Sequence, residues 1–254
     1  MAMLSPGSVL LVTGATGGIG LEIAAQAAAE GATVAVHGSR EETVAAAIEK
    51  LKARTPDARL IAVPGDFCDP DALDAVVARV VAEAGRLDAV VHCAIAGAAD
   101  TTGVFRKTNP RNFGLLAQNV LGIFEHLCFA ALPHLAVQGG TIVTFASDSG
   151  RFAAPRQSTL GGVFGGIMAF VRNLSMEVSR DKVRVHCISP SYVADTPVFD
   201  RHAAALGRGT SASDRAGLGL PTPKDIAPMV LFLCGPGAAR ITGQIISING
   251  GLNA

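Results

Sequence analysis

Apolar positions along the chain fall into two alternating kinds of run. Short β-branched stretches read as strands: Ser8 to Thr13, Thr33 to His37, Leu60 to Val63, Ala89 to Cys93, Thr141 to Phe145, Arg184 to Ile188 and Ile245 to Ile248. Longer, Ala-rich amphipathic stretches between them read as helices: Gly18 to Glu30, Glu41 to Arg54, Asp71 to Ala84, Asn112 to Val137, Ser158 to Ser179 and Lys224 to Cys234. A run such as Val9-Leu10-Leu11-Val12 is apolar on both faces, as a strand covered from above and below must be. With right-handed crossovers, this alternation predicts a doubly wound, parallel, seven-stranded sheet with helices on both faces. That is a single-domain α/β Rossmann fold over residues 1–254. One stretch, 189–223, is rich in Gly, Ser, Asp and Arg and too long for a simple connection, so it is expected to be a lid loop.

Composition narrows the function more than the fold. The 254 residues are 49% hydrophobic and 17% charged, enough to bury one large core. Formal net charge is zero and no basic cluster occurs, so neither nucleic acid nor an anionic membrane is expected as a partner. No apolar run approaches the roughly 20 residues of a membrane span, and Met1 to Pro6 does not read as a signal peptide. A cytoplasmic protein is expected. The five cysteines, Cys68, Cys93, Cys128, Cys187 and Cys234, are widely spaced and read as apolar core thiols of a reducing compartment. No His, Cys or Asp set has metal spacing.

The chemistry starts at Thr13-Gly14-Ala15-Thr16-Gly17-Gly18-Ile19-Gly20, between the first strand and the first helix. Glycines there let the backbone turn tightly and approach a pyrophosphate, which the open N–H groups of the helix N-terminus attract. At the end of the second strand, where an acid would bind the ribose of NAD, stand Gly38, Ser39 and Arg40. A hydroxyl and a guanidinium suit the 2′-phosphate of NADP. Arg40 merely facing water near a helix start remains the plain alternative.

The spacing of Gly14, Gly18 and Gly20 resembles the loop of the short-chain dehydrogenase/reductase family, and the resemblance runs over essentially the whole chain. It implies a cofactor site for NADP or NAD made of Gly14, Thr16, Gly18, Ile19, Gly20, Ser39, Arg40, Asp66, Ala94, Pro190, Val193 and Thr196. Asp66 is the implied adenine contact, and Pro190 to Thr196 the implied turn beside the nicotinamide. Ser147 and Asn119 match the family's catalytic Ser and helix Asn. Departures are as informative. His92-Cys93-Ala94-Ile95 keeps only Ala94 of the family's Asn-Asn-Ala-Gly stretch, and His92 reads as a packed strand-end residue.

In that family a Tyr exchanges a proton with the substrate oxygen while hydride moves to or from nicotinamide, and a Lys four residues on lowers its pKa. Without a gap from Ser147, the matches Gly150, Arg151 and Pro155 on one side and Gly166, Arg172 and Leu174 on the other keep register. They put Leu160 at the Tyr position and Phe164 at the Lys position. Neither exchanges a proton, so Ser147 and Asn119 read as vestigial. Tyr192, the only tyrosine, borders the implied pocket without a Lys partner, and Lys107 reads as a solvated loop residue.

Three functions follow as expectations. The first is a non-catalytic structural subunit of a hetero-oligomeric NAD(P)-dependent alcohol or hydroxyacyl dehydrogenase or ketoacyl reductase. Its partner would be an intact paralogue in a dimer or tetramer built through the two long helices, acting on a small molecule such as an acyl-CoA. The hetero-oligomeric dehydrogenase of benzylsuccinyl-CoA β-oxidation is similar in kind. The second is a working oxidoreductase, lyase or isomerase using Ser147, Asn119 and Tyr192. The third is a dinucleotide-sensing module, which needs only the glycine loop.

Overall fold

The computed structural model describes residues 2–197, 199–200 and 214–253. Seven strands make one all-parallel sheet: β1 (Val9–Thr13), β2 (Thr33–Gly38), β3 (Arg59–Pro64), β4 (Ala89–His92), β5 (Gly140–Phe145), β6 (Val183–Ser189) and β7 (Ile245–Ser247). Their order is β3-β2-β1-β4-β5-β6-β7. The chain winds outward from β1 to β3, returns past β1 to β4, then winds the other way. That reversal opens a crevice beyond the C-terminal ends of β1 and β4, where open α/β sheets take ligands.

Period-2 alternation sorts each strand's side chains into two cores. On β1, Val9 and Leu11 enter one core and Leu10 and Val12 the other, all essentially buried. The first core lies under α3 (Pro70–Ala84), α5 (Ile123–Leu135) and α6 (Ser158–Glu177). The second lies under α1 (Gly18–Ala29), α2 (Glu41–Arg54) and α7 (Pro223–Cys234). Buried alanines at 24, 25, 27 and 28 let α1 approach the sheet closely. Local chemistry sets the helix ends. The Asp69 carboxylate accepts the Asp71 N–H at 3.0 Å ahead of α3, and Gly85, at φ 74°, ends that helix. Asp225 reaches back 2.7 Å to the Thr222 N–H ahead of α7. At the other end of α7, the Arg184 guanidinium donates to the carbonyls of Leu233, Cys234, Gly235 and Ala238.

The structure departs from the sequence reading at the long helix and at one cysteine. The predicted helix from Asn112 to Val137 is not uniform. A 3-10 turn (Pro110–Asn112) leads into α4 (Phe113–Ala117), a π-helical turn (Gln118–Gly122) and then α5. Continuous from Pro110 to Leu135 and containing an 18-residue window of mean hydropathy 1.5, this stretch is long and apolar enough, by length and composition only, to cross a membrane. In the fold its Leu116, Val120, Phe124, Leu127 and Ala131 pack into the first core. The cysteines are not all core thiols. Cys128 and Cys187 are buried and Cys93 and Cys234 half-buried, but Cys68 is exposed in the turn after β3. Of the expected lid, residues 198 and 201–213 lie outside the described residues.

Candidate functional site

The crevice collects most of the residues expected there. Gly14 turns at φ 65° and Gly18 at φ 52°, both in the left-handed region that favours glycine. A side chain on Gly14 would strike the Ala94 backbone at 2.8 Å, and one on Gly20 the Gly14 carbonyl at 2.4 Å. The loop therefore lies flat on Ala94, with α1 opening beside it. Its N-cap, Gly17, offers no side-chain oxygen, so the first N–H groups of α1 stay open to an acceptor. Thr196 closes the loop from the β6 side, its methyl 3.8 Å from where a Gly18 Cβ would sit. Its hydroxyl donates to the Val193 carbonyl at 2.8 Å. Thr16 rests on Gly38, where a Cβ would come within 2.4 Å of the Thr16 methyl. An acidic side chain at the end of β2 would have to displace that methyl. Ser39 and Arg40 follow, both exposed. Arg40 forms the N-cap of α2 through its backbone, and its guanidinium has no partner among the described residues.

His37 was not anticipated. It shares a face with Ala35 inside an apolar strand, and an inward polar position in such a run is the one signal it gives. Its ring stacks on Phe67 with centroids 3.9 Å apart. Nε2 lies 2.9 Å from the Gly65 carbonyl and Nδ1 3.4 Å from the Gly14 N–H. Those contacts assign the proton to Nε2, which donates to Gly65 while Nδ1 accepts from Gly14. Burial holds the ring neutral, pulling its pKa down to about 4. His37 thus ties the glycine loop to the Gly65-Asp66 corner. Asp66 is exposed there, accepting the Cys68 N–H at 3.0 Å.

His92 is packed as expected, stacked on Phe124 and 2.9 Å from the Thr13 hydroxyl through Nδ1. That hydroxyl also accepts the Ala94 N–H at 3.3 Å. Burial first, and then the neighbouring His37, lower the His92 pKa to about 3.

The catalytic corner is different. Ser147 caps a 3-10 turn (Asp148–Gly150) and accepts from the Ser149 N–H at 3.3 Å and the Ser149 hydroxyl at 3.2 Å. The first turns of α6 pack directly on this segment. A Cβ on Gly161 would strike the Ser149 carbonyl at 2.5 Å, and one on Gly150 would meet Phe164 at 2.8 Å. From this helix face come Leu160, half-buried against the first core, and Phe164, buried within it. Asn119 lies in the π-helical turn and reaches the Gly97 carbonyl at 3.4 Å, not Ser147. Tyr192 meets Phe199 edge-on at 6.3 Å. Lys107 is exposed on a 3-10 turn without a partner among the described residues.

Beside Ser147, the Asp148 side chain is 1% exposed and makes its hydrogen bonds with other partners. Ser189 and Ser247 hydroxyls donate to one oxygen at 3.0 and 2.8 Å, and Asn249 and Asn253 amides to the other at 2.6 and 3.3 Å. Pro190 also enters this clasp, its carbonyl accepting the Asp148 N–H at 3.0 Å. The carboxylate ties the ends of β5, β6 and β7 together. Asp148→Ala leaves those donors buried and unpaired, so urea denaturation is expected to show a loss of about 3 kcal/mol. A loss below about 1 kcal/mol, the scale of one ordinary hydrogen bond, would mean the clasp is not needed.

Comparison with known proteins agrees with this geometry. The family profile described as enoyl-(acyl carrier protein) reductase matches residues 14–253. The chain is 31% identical over 255 residues to the short-chain reductase protein NovJ of Streptomyces niveus, covering 98% of this chain and 95% of that one. It is also 31% identical over 248 residues to the 3-oxoacyl-(acyl-carrier-protein) reductase FabG of Chlamydia muridarum, covering 95% of this chain and 96% of that one. Among solved structures, L-sorbose reductase from Gluconobacter frateurii, complexed with NADPH and L-sorbose, superposes with a TM-score of 0.90 at 25% identity. The match covers 99% of this chain and 98% of that one.

Proposed function

Because the chain belongs to the short-chain dehydrogenase/reductase family, we propose that it is a catalytically silent subunit that keeps a dinucleotide site and assembles with an intact homologue. The observation that carries this reading is the face of α6 laid against Ser147 to Gly150. It presents Leu160 and Phe164, two side chains with no proton to give. Reduction of a carbonyl delivers hydride to carbon and needs a proton at oxygen in the same event. Ser147 and Asn119 orient, but neither is paired with a base or a cation in this fold.

The dinucleotide side supports retention. Gly14, Gly18 and Gly20 keep the space a pyrophosphate needs, and His37 braces the loop from beneath. NADP, or NAD, would lie with its phosphates at Thr16 to Ile19 and its adenine by Asp66, with Pro190, Val193 and Thr196 beside the nicotinamide. Such a cofactor carries a transferable hydride, and this subunit's residues would hold and orient it without completing the transfer. Ser39 and Arg40, whose guanidinium has no partner among the described residues, favour the 2′-phosphate. The complex would act on a small carbonyl or hydroxyl compound, an acyl-CoA among the candidates, in the cytoplasm.

Calorimetry with NADPH and NADH on the purified chain tests this. Micromolar NADPH binding without turnover of a β-keto ester is expected, and Arg40→Ala should weaken NADPH about tenfold while sparing NADH. Turnover at the common enzyme rate of roughly 10 per second by the chain alone would refute the silent-subunit reading. Absence of nucleotide binding would refute the retained site.

A further inference from the structure

We propose that His37 is a positioning residue of the dinucleotide site, a single buried ring that sets the glycine loop and the adenine corner relative to each other. This rests on the retained dinucleotide site above and names the side chain that shapes it. His37 meets the loop at two successive peptides. Its carbonyl accepts the Ala15 N–H at 2.9 Å, and its Nδ1 accepts the Gly14 N–H at 3.4 Å. On the other side the ring holds both neighbours of Asp66. Nε2 donates to the Gly65 carbonyl at 2.9 Å, and the ring stacks on Phe67 with centroids 3.9 Å apart. The Gly65 N–H returns to the Gly38 carbonyl at 3.0 Å, so the ends of β2 and β3 close around the imidazole.

A role beyond packing follows from cost. His37 is 2% exposed on an apolar strand, and a buried ring with two polar atoms is tolerated only where both are paired. An aliphatic side chain would fill such a position without that demand. Here the two nitrogens diverge, one to the segment expected under the pyrophosphate and one to the corner expected under the adenine. A dinucleotide spans both, so its affinity depends on their separation, and an aromatic ring is a rigid spacer with only two rotatable bonds. Burial pulls the ring's pKa down to about 4, which keeps Nδ1 an acceptor at neutral pH.

Three substitutions separate the two contacts. His37→Asn keeps an oxygen where Nδ1 stands and loses the reach to Gly65. His37→Gln keeps an amide N–H near Nε2 and loses the acceptor for Gly14. His37→Leu loses both. Hydrogen exchange of residues 14–20 in the nucleotide-free chain is expected to quicken about tenfold for His37→Gln and His37→Leu, and to stay at the parent rate for His37→Asn. Calorimetry should show NADPH weakened about tenfold by His37→Gln and about a hundredfold by His37→Leu. Adenosine 2′-monophosphate, which has no pyrophosphate, should bind His37→Gln like the parent and His37→Asn several times more weakly. Parent-like exchange and NADPH affinity in His37→Leu overturn the proposal. Equal losses in all three variants, in proportion to their stability in urea, overturn it too, because packing alone would then explain them. A parent that binds no nucleotide refutes the retained site instead, and the exchange rates then decide alone whether His37 sets the loop.

Discussion

Leu160→Tyr combined with Phe164→Lys is expected to raise NADPH-dependent reduction of a β-keto ester by about 10²–10⁴ over the parent. The argument is one of proton supply. Hydride moves from the nicotinamide to the carbonyl carbon, and the oxygen must then take a proton from a group whose pKa lies near the working pH. A free phenol titrates near 10, too high for efficient transfer, and an ammonium one turn away lowers it. Residues 160 and 164 lie one turn apart on α6, on the face that packs against Ser147 to Gly150. Leu160→Tyr alone should therefore give only a small part of the gain. Phe164 is 4% exposed, so a lysine there strains the first core, and retained NADPH binding by the double variant is the check that it has folded. A parent as fast as the double variant would show that another group supplies the proton, and Tyr192→Phe would identify or exclude the one tyrosine.

Local features of this protein were legible and non-local ones were not. Strands such as Val9 to Val12 are apolar on both faces because helices cover both, and that pattern survives in a single sequence. Glycines at 14, 18 and 20 could be placed because the turn's demand for positive φ and close approach is met within eight residues. His37 gave no comparable sign, since its partners Gly65 and Phe67 reach it only through the β2–β3 register. The Asp148 clasp draws on Ser189, Ser247, Asn249 and Asn253, between 41 and 105 residues away, so nothing local in the sequence announces it. Likewise the π-helical turn at Asn119 leaves the hydrophobic spacing nearly unchanged, and the helix read as regular. The exposure of Cys68 follows from its turn, which composition does not encode.

Three buried histidines should make stability fall steeply as pH drops below about 6.5. His37 and His186 are held neutral down to about 4 and His92 to about 3, in every case first by burial. Arg184, two residues before His186 on the same face of β6, pushes it the same way. The nearby Ile241 backbone offsets this only in part, and neither ring nitrogen of His186 makes a hydrogen bond among the described residues. In the unfolded chain all three titrate near 6.5, so as pH falls the unfolded state binds protons first. The stability is therefore fully present above 6.5 and drains away between there and about 4, the reverse of a histidine that gains an anionic partner on folding. With all three charged only in the unfolded state, the slope is about 4 kcal/mol per pH unit. Urea denaturation from neutral pH downwards measures it directly. His186→Leu is the discriminating variant, because it removes a buried ring whose nitrogens are unpaired and leaves no donor stranded. It should flatten the slope by about a third and leave neutral-pH stability no lower than the parent's. An unchanged slope would show that His186 is already protonated or solvated in the folded chain, and the steepness would then have to come from His37 and His92, whose hydrogen bonds hold the glycine loop and the end of β4.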